Sequence, residues 1–576
     1  MIIRGGKLVD GNGGVPFRGD VAVKDGLIVE VAPRVDGTAR RVIDATGRLV
    51  TPGFVDIHTH YDGQVTWDDQ MSPSSGHGVT TVVMGNCGVG FAPVRPGCEG
   101  WLIQLMEGVE DIPGTALAEG MTWGWESFPD YLDVLGQRRL SIDVGAQIAH
   151  GAVRGYVMGE RGARNEPASP EEIARMRAIV HQAVDAGALG VTTSRVLGHR
   201  AMDGEPVPGT FAAHDELFAL GYALRDAGTG VFELAPGGAD GQDVIQAPVE
   251  MAWMRKLSAE IGRPITFAMN QVEADPEQWR MLLAESLAAC AEGAQCYPQV
   301  AGRPFGLLLG LQTHHPFAKR PTFRALSHLP LPALAQRLRD PDVRATILAE
   351  ENLPGNPSVV WDEVPGNLPG LLHRVYPMGV IPDYEPLPER SVVNLARAAG
   401  VAPVELFYDL MLEDEGRAML LLPIYNYAWE NHDAIREMLT HPQSVSGLSD
   451  GGAHCGMICD ASIPTYLLTH WARDRVRGER LPLEWVVKKQ TRDTATLYGL
   501  GDRGVLEAGL RADINVIDFD NLRLDSPTMV HDLPAGGRRL LQQAEGYDYT
   551  VVAGQVTRDH GVDTEARPGR LVRGAR

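Results

Sequence analysis

The chain has 576 residues, of which 44% are hydrophobic, 22% charged and 6% aromatic, enough for a large core and too long for one ordinary domain. Its formal net charge of -22 argues against nucleic-acid and anionic-membrane partners, which need basic patches, and fits solubility instead. No apolar run reaches the ~18 residues of a membrane span, the start MIIRGGKLVD lacks a signal-peptide core, and six scattered cysteines make no disulfide framework, so the expectation is a cytoplasmic globular protein, with a homo-oligomer left open.

Residues 1–50 alternate short β runs with turns, and Lys24-Asp25-Gly26 between alternating apolar residues predicts a tight hairpin. A similar pattern returns in ADINVIDFDNLRL and YTVVAGQVTRD. One small β domain built from both chain ends (1–50 and 501–576) around a second domain (51–500) accounts for both. The second domain opens with LVTPGFVDIHTH, an apolar strand ending in His58 and His60. HGVTTVVMGNCGVGFAP is the next strand, tipped by Asn86-Cys87-Gly88, and SIDVGAQIAHG closes at His150. SPEEIARMRAIVHQAVDAG predicts a helix with Ser169 as N-cap and Pro170 at N1. ALGVTTS, TGVFELAP, RPITFAMN and AQCYPQV are then strands separated by helical runs. Repeated helix–strand units predict a parallel sheet, closed as a (β/α)8 TIM-type barrel. A doubly wound sheet is the alternative, but no GxGxxG opens a helix after the first strand. Residues 303–445, rich in proline and helical pieces, exceed one βα unit and read as an elaboration near the mouth. QSVSGLSDGGAH supplies a late strand ending at Asp450, followed by glycines and His454.

Barrel enzymes carry their chemistry at the C-terminal ends of strands. In extended backbone, residues i and i+2 point to one side, so His58 and His60 can reach one metal ion. Cys87 adds a thiolate, a strong zinc ligand able to bridge two ions. Asp450 suits a general base that takes a proton from an activated water and passes it to a leaving amine. His150 is a candidate for supporting a metal ligand from behind or for stabilising an oxyanion, while Ser194 and His454 are loop candidates at the mouth.

HTH after an apolar strand, a distant Asp and the tail DRGVLEAGLRADINVID resemble the amidohydrolase superfamily. GHGVTTVVMGNCGVGFAPVRPG, HGAVRGYVMG and MLTHPQSVSGLSDGGAH are similar to its N-acyl-D-amino-acid deacylase (D-aminoacylase) branch. The resemblance covers nearly the whole chain and is weakest between about 300 and 420. It implies a barrel plus a β-sandwich, one or two zinc ions, and hydrolysis of an amide bond by activated water. It also implies a cysteine where other amidohydrolases bridge metals with a carboxylated lysine. No lysine lies between Lys24 and Lys256, so Cys87 is the natural substitute. The family's two mid-barrel histidines are missing: the corresponding strands read GVFELAPGG and PITFAMNQVE. Glu233 and Asn270 are the candidate oxygen ligands in their place, and Asp450 is a further ligand. Gln271 and Val272 stand where the family keeps a lysine for the substrate carboxylate. Tyr297 matches a family tyrosine near the substrate, and Arg303 is a candidate carboxylate partner. Cyclic amides, imides, carbamates or bulkier amides are alternative substrates of the same site, and a barrel kept only for binding is the non-catalytic alternative.

Overall fold

The computed structural model describes residues 1–355 and 360–574, with side chains of 360–363 left aside. The first fifty residues and the last seventy meet in one nine-stranded sheet, which includes Ile2–Leu8, Phe17–Lys24, Leu27–Ala32 and Leu49–Pro52 from the front and Ile514–Ile517, Tyr547–Val552 and Gln555–Asp559 from the back. Lys24 pairs directly with Leu27, and Asp25 and Gly26 take the positive φ values of 50° and 82° that a two-residue hairpin twisted like its strands requires.

LVTPGFVDIHTH is two strands rather than one. Leu49–Pro52 belongs to the nine-stranded sheet and Phe54–Thr59 to a parallel one. The chain crosses between them at Gly53, where an added Cβ would lie 2.2 Å from the Thr80 side chain. Periodicity cannot register such a crossing, because both halves are apolar and buried.

Phe54–Thr59, Val79–Met84 and Asp143–Ala146 form a three-stranded sheet. Ile148–Ala149, Gly190–Ser194, Val231–Ala235, Ile265–Ala268, Cys296–Val300 and Val445–Ser446 form a six-stranded one in that order, and every pairing in both is parallel. The strands are buried throughout apart from the half-buried Tyr297, as parallel strands covered by helices must be. Past Val445–Ser446 the chain returns to the first strand: the Asp450 N–H donates to the His58 carbonyl at 3.1 Å, and the His60 N–H to that of Gly451 at 2.8 Å. The helix after Ser169 runs Pro170–Ala186, with Ser169 and Glu172 closing a reciprocal capping box. Residues 303–445 hold a separate three-stranded sheet (Gly306–Leu309, Leu420–Pro423, Tyr376–Pro377) and their own apolar cluster around Phe317, Phe407 and Tyr408. Among the described residues no helix is long and apolar enough to cross a membrane.

The C-terminal sequence DRGVLEAGLRAD is pinned to the parallel strands by charge. Asp143 is fully buried and accepts from Arg503 Nη1 at 2.7 Å and Arg511 Nη2 at 2.9 Å. Arg503 and Arg511 also pair with Asp502 and Asp513, so removing Asp143 costs toward the lower end of the about 3–5 kcal/mol for breaking a buried ion pair. Asp143→Ala is therefore expected to lower the unfolding free energy by that order, measured by chemical unfolding. A loss within about 0.5 kcal/mol, as for ordinary surface changes, would remove Asp143 from this role.

Candidate metal centre

His58 is the last residue but one of its strand and His60 lies just beyond it, both buried. The His58 ring has one nitrogen held from behind. His58 Nδ1 is 2.8 Å from Gln299 Oε1; an amide oxygen accepts only, so Nδ1 carries the proton and Nε2 keeps its lone pair. That Nε2 lies 3.4 Å from Cys87 Sγ and 3.4 Å from Asp450 Oδ1. His60 Nε2 is 3.6 Å from the same Asp450 oxygen, and its Nδ1 faces Glu110 Oε1 at 3.4 Å. Ligand atoms of His58, His60 and Cys87 all lie within 4.8 Å of one another. An outer hydrogen bond that fixes the tautomer of a metal-ligating histidine is the usual arrangement.

Cys87 sits three residues past its strand with φ +54°. The glycines on either side are required by close approach: a Cβ at Gly85 would lie 2.3 Å from the Gln147 carbonyl, and one at Gly88 2.8 Å from the Ser194 nitrogen. The Cys87 N–H donates to Glu233 Oε2 at 3.2 Å, and Glu233 Oε1 is 3.8 Å from His58 Nδ1. Leu448, Asp450 and His454 also have positive φ, at 60°, 48° and 53°. Non-glycine residues held in this region cost of order 1 kcal/mol or more each and cluster at functional sites.

The electrostatics describe a site built around a cation. Burial pushes Glu233 up to about 8, with nearby Asp450 adding to it. Burial raises Glu110 well above the carboxylate range, helped by Asp450, Asp62 and Glu233. It also raises the Cys87 thiol, aided by Glu233, Glu110 and Asp450. Desolvation lowers His58 to about 4, His60 to about 3 and His454 to about 4, so the imidazoles are neutral and available as ligands at pH 7. Glu233 Oε1, His60 Nδ1 and His454 Nδ1 are buried without a hydrogen-bond partner. Orphaned buried polar atoms are rare, and a divalent cation among them would offset the crowding of acidic groups. Neutral imidazoles, a thiol and carboxylates are the donor set of zinc.

Other residues expected at the site take varied positions. His454 joins the cluster, its Nε2 3.6 Å from Glu110 Oε2 and 3.9 Å from Asp450 Oδ2. Ser194 Oγ is 2.9 Å from His199 Nδ1, and His199 is close enough to His454, His60 and His58 for each to depress its pKa further below what burial sets. His150 stands apart: it opens the helix His150–Met158, and both ring nitrogens are engaged, by Thr193 Oγ1 at 2.9 Å and Glu216 Oε1 at 2.7 Å. Neither nitrogen is left for an oxyanion. Asn270 pairs with Asn426 and the Ala239 carbonyl rather than with the cluster. Tyr297 lies near the start of its strand, against the apolar group of Val55, Ile57 and Leu497. Two residues on, Gln299 on the same face is the one that reaches His58. Arg303 is 1% exposed, ion-paired with Asp460 at 3.0 Å and stacked 3.8 Å over the Tyr384 ring, so it is neither a surface residue nor a contact of the cluster.

Glu110 is the main residue that the sequence hid. It ends the helix Glu99–Glu110, where an acidic side chain reads as a solvated face. The loop after Asp450 clamps that helix end: the His454 N–H donates to the Glu110 carbonyl and the Gly456 N–H to Asp111 Oδ2. Asp111 ends the helix at φ +51°, a tight turn that nothing in the local sequence marks.

Parallel strands that present a His-x-His pair, a thiol and carboxylates at one end define an α/β protein with a buried centre suited to a metal. The chain belongs to the amidohydrolase family, whose sequence profile matches residues 41–558. It is 28% identical over 555 residues to a protein of Mycobacterium tuberculosis (strain H37Rv), covering 91% of this chain and 85% of the other. It is 25% identical over 564 residues to the D-aminoacylase of Alcaligenes xylosoxydans xylosoxydans, covering 94% of each. In fold it resembles the N-acyl-D-glutamate deacylase of Bordetella bronchiseptica, solved with zinc and a phosphonate mimic of the tetrahedral intermediate. The TM-score is 0.64 and the identity 21%, covering 100% of this chain and 99% of that one.

Proposed function

We propose that the protein is a zinc-dependent hydrolase of a C–N amide bond, D-aminoacylase-like, converting an N-acyl compound and water to a carboxylate and an amine. The observation that carries this reading is the convergence of Cys87 Sγ and Asp450 Oδ1 on His58 Nε2, each 3.4 Å from it, with His60 Nε2 3.6 Å from the same Asp450 oxygen. On this reading the succession of parallel strands is a (β/α)8 barrel, the nine-stranded sheet is the core of the accessory β domain, and the cluster lies at the barrel mouth. His58, His60, Cys87 and Glu233 hold one or two zinc ions, with Asp450 at the edge of the site. Zinc held there would supply Lewis-acid chemistry, acidifying water in the site toward a pKa of about 7 and polarising the amide carbonyl. Asp450 removes a proton from the attacking water and delivers it to the nitrogen as the C–N bond breaks. His454, with Nδ1 unpartnered, takes the role first expected of His150, donating to the developing oxyanion. Glu110 faces His60 Nδ1 and His454 Nε2 from behind, at 3.4 Å and 3.6 Å.

The engagement of Arg303 by Asp460 supports a second reading, in which the amide carries no free carboxylate: a cyclic amide or imide, a carbamate or a bulkier amide. A panel of N-acyl-D-amino acids, N-acyl-L-amino acids, cyclic imides and carbamates tests both. Turnover of the D-series sustains the first reading, turnover of neutral substrates alone the second, and turnover of none removes both.

Zinc uptake is expected to release protons, because Glu233 at about 8 and the Cys87 thiol, raised further, hold theirs at pH 7 and must lose them to coordinate. Affinity therefore rises with pH, and its slope eases above about 8 as Glu233 ionises. Calorimetry of zinc binding in two buffers of different ionisation enthalpy reads the proton count. A buffer-independent enthalpy and an affinity constant with pH would contradict this ligand set.

A further inference from the structure

A second cluster of ligating side chains lies outside the site already described. Glu385, in the loop before the helix Val392–Ala399, meets His432, which precedes the helix Asp433–Thr440, and His470, in the stretch Leu467–Asp474. That stretch is wound as a π-helix, a geometry that recurs at functional sites. Glu385 Oε2 is 3.1 Å from His470 Nε2 and 3.8 Å from His432 Nδ1, and the two ring nitrogens are 3.3 Å apart. Ligands held tetrahedrally by zinc with bonds of ~2.0–2.1 Å stand about 3.3 Å from one another, so the three atoms are spaced as such ligands are.

The protons point the same way. His432 Nε2 is 2.9 Å from the Tyr384 carbonyl oxygen, which can only accept, so Nε2 carries the proton and Nδ1 presents a lone pair to the centre. This backing by a carbonyl is the outer-sphere contact typical of metal-bound imidazole. Arg475 orients the carboxylate, donating from Nε to Oε2 at 3.2 Å and from Nη2 to Oε1 at 2.9 Å, and it also reaches Asp433 at 2.8 Å. Arg477 Nη1 donates to the Glu385 carbonyl at 2.8 Å, so two guanidiniums balance the carboxylates of Glu385 and Asp433 around the group. His432 and Glu385 are buried, and the His470 side chain is 14% exposed, which gives an ion an entry edge.

We propose that Glu385, His432 and His470 form a second cation site, for zinc or a similar divalent ion that favours imidazole, which ties together three segments distant in sequence. It is separate from the hydrolytic cluster and carries no thiolate. Two measurements on the full-length protein test it. Metal content after equilibration with zinc buffered at nanomolar activity should fall by one ion per chain in His470→Gln and in His432→Gln, with circular dichroism unchanged in at least one of them and the Cys87-dependent ion retained. Cobalt should add a set of visible d–d bands without growth of the thiolate-to-cobalt charge-transfer band that reports Cys87, and His470→Gln should lose that set. Equal zinc content in wild type and both variants would overturn the proposal. So would filling at millimolar zinc only, which marks an adventitious ion only. If both variants unfold, an anomalous map of wild-type crystals grown with zinc decides, and no peak between the three atoms overturns the site.

Discussion

Asp450→Asn should lower turnover by about two to four orders of magnitude, the usual range for a lost general acid–base group, while zinc content and the circular dichroism spectrum stay unchanged. Asparagine keeps the size and the backbone conformation, at φ +48°, but cannot take a proton. The carboxylate lies 3.4 Å and 3.6 Å from the two histidine nitrogens, near enough to reach a water held between them. Because the substitution removes proton transfer rather than binding, the loss should fall on kcat with little change in KM. A variant retaining near-wild-type hydrolysis would remove Asp450 from this role, and one that also lost its zinc would make it chiefly a ligand.

Cys87→Ala should have the largest effect on metal binding. It removes the only sulfur among the clustered ligand atoms and leaves two imidazoles and carboxylates. Loss of an outer-sphere partner alone costs 10–100-fold in affinity, so loss of a direct ligand should cost at least that. Chelator competition measures it. Cys87→Ser keeps the shape and should rescue folding but not affinity. Unchanged zinc affinity in both variants would place the ion elsewhere.

What the sequence disclosed follows from what periodicity can register. His58, His60 and Cys87 stood out because an apolar run ending in polar tips is uncommon unless a strand end faces something. Glu233 was legible only as a substitute at an expected position, since alternation does not say which face looks inward. Tyr297 was expected from the family resemblance alone, and Gln299, two steps nearer the strand end, is the residue that meets His58. His150 followed an apolar run as His58 does, yet the chain turns there into a helix and its ring is taken by Glu216 and Thr193. Glu110 and the Glu385–His432–His470 group were hidden for another reason. Each depends on contacts between segments far apart in sequence, and no local pattern carries them.

The most direct test of the account is hydrolysis by the full-length protein before and after removal of its metal. Protein stripped by chelator, dialysed and verified as metal-free by plasma mass spectrometry should have lost hydrolysis of whichever amide the panel identifies. Added zinc should restore it in wild type and not in Cys87→Ala. Hydrolysis that persists in verified metal-free protein would contradict the account.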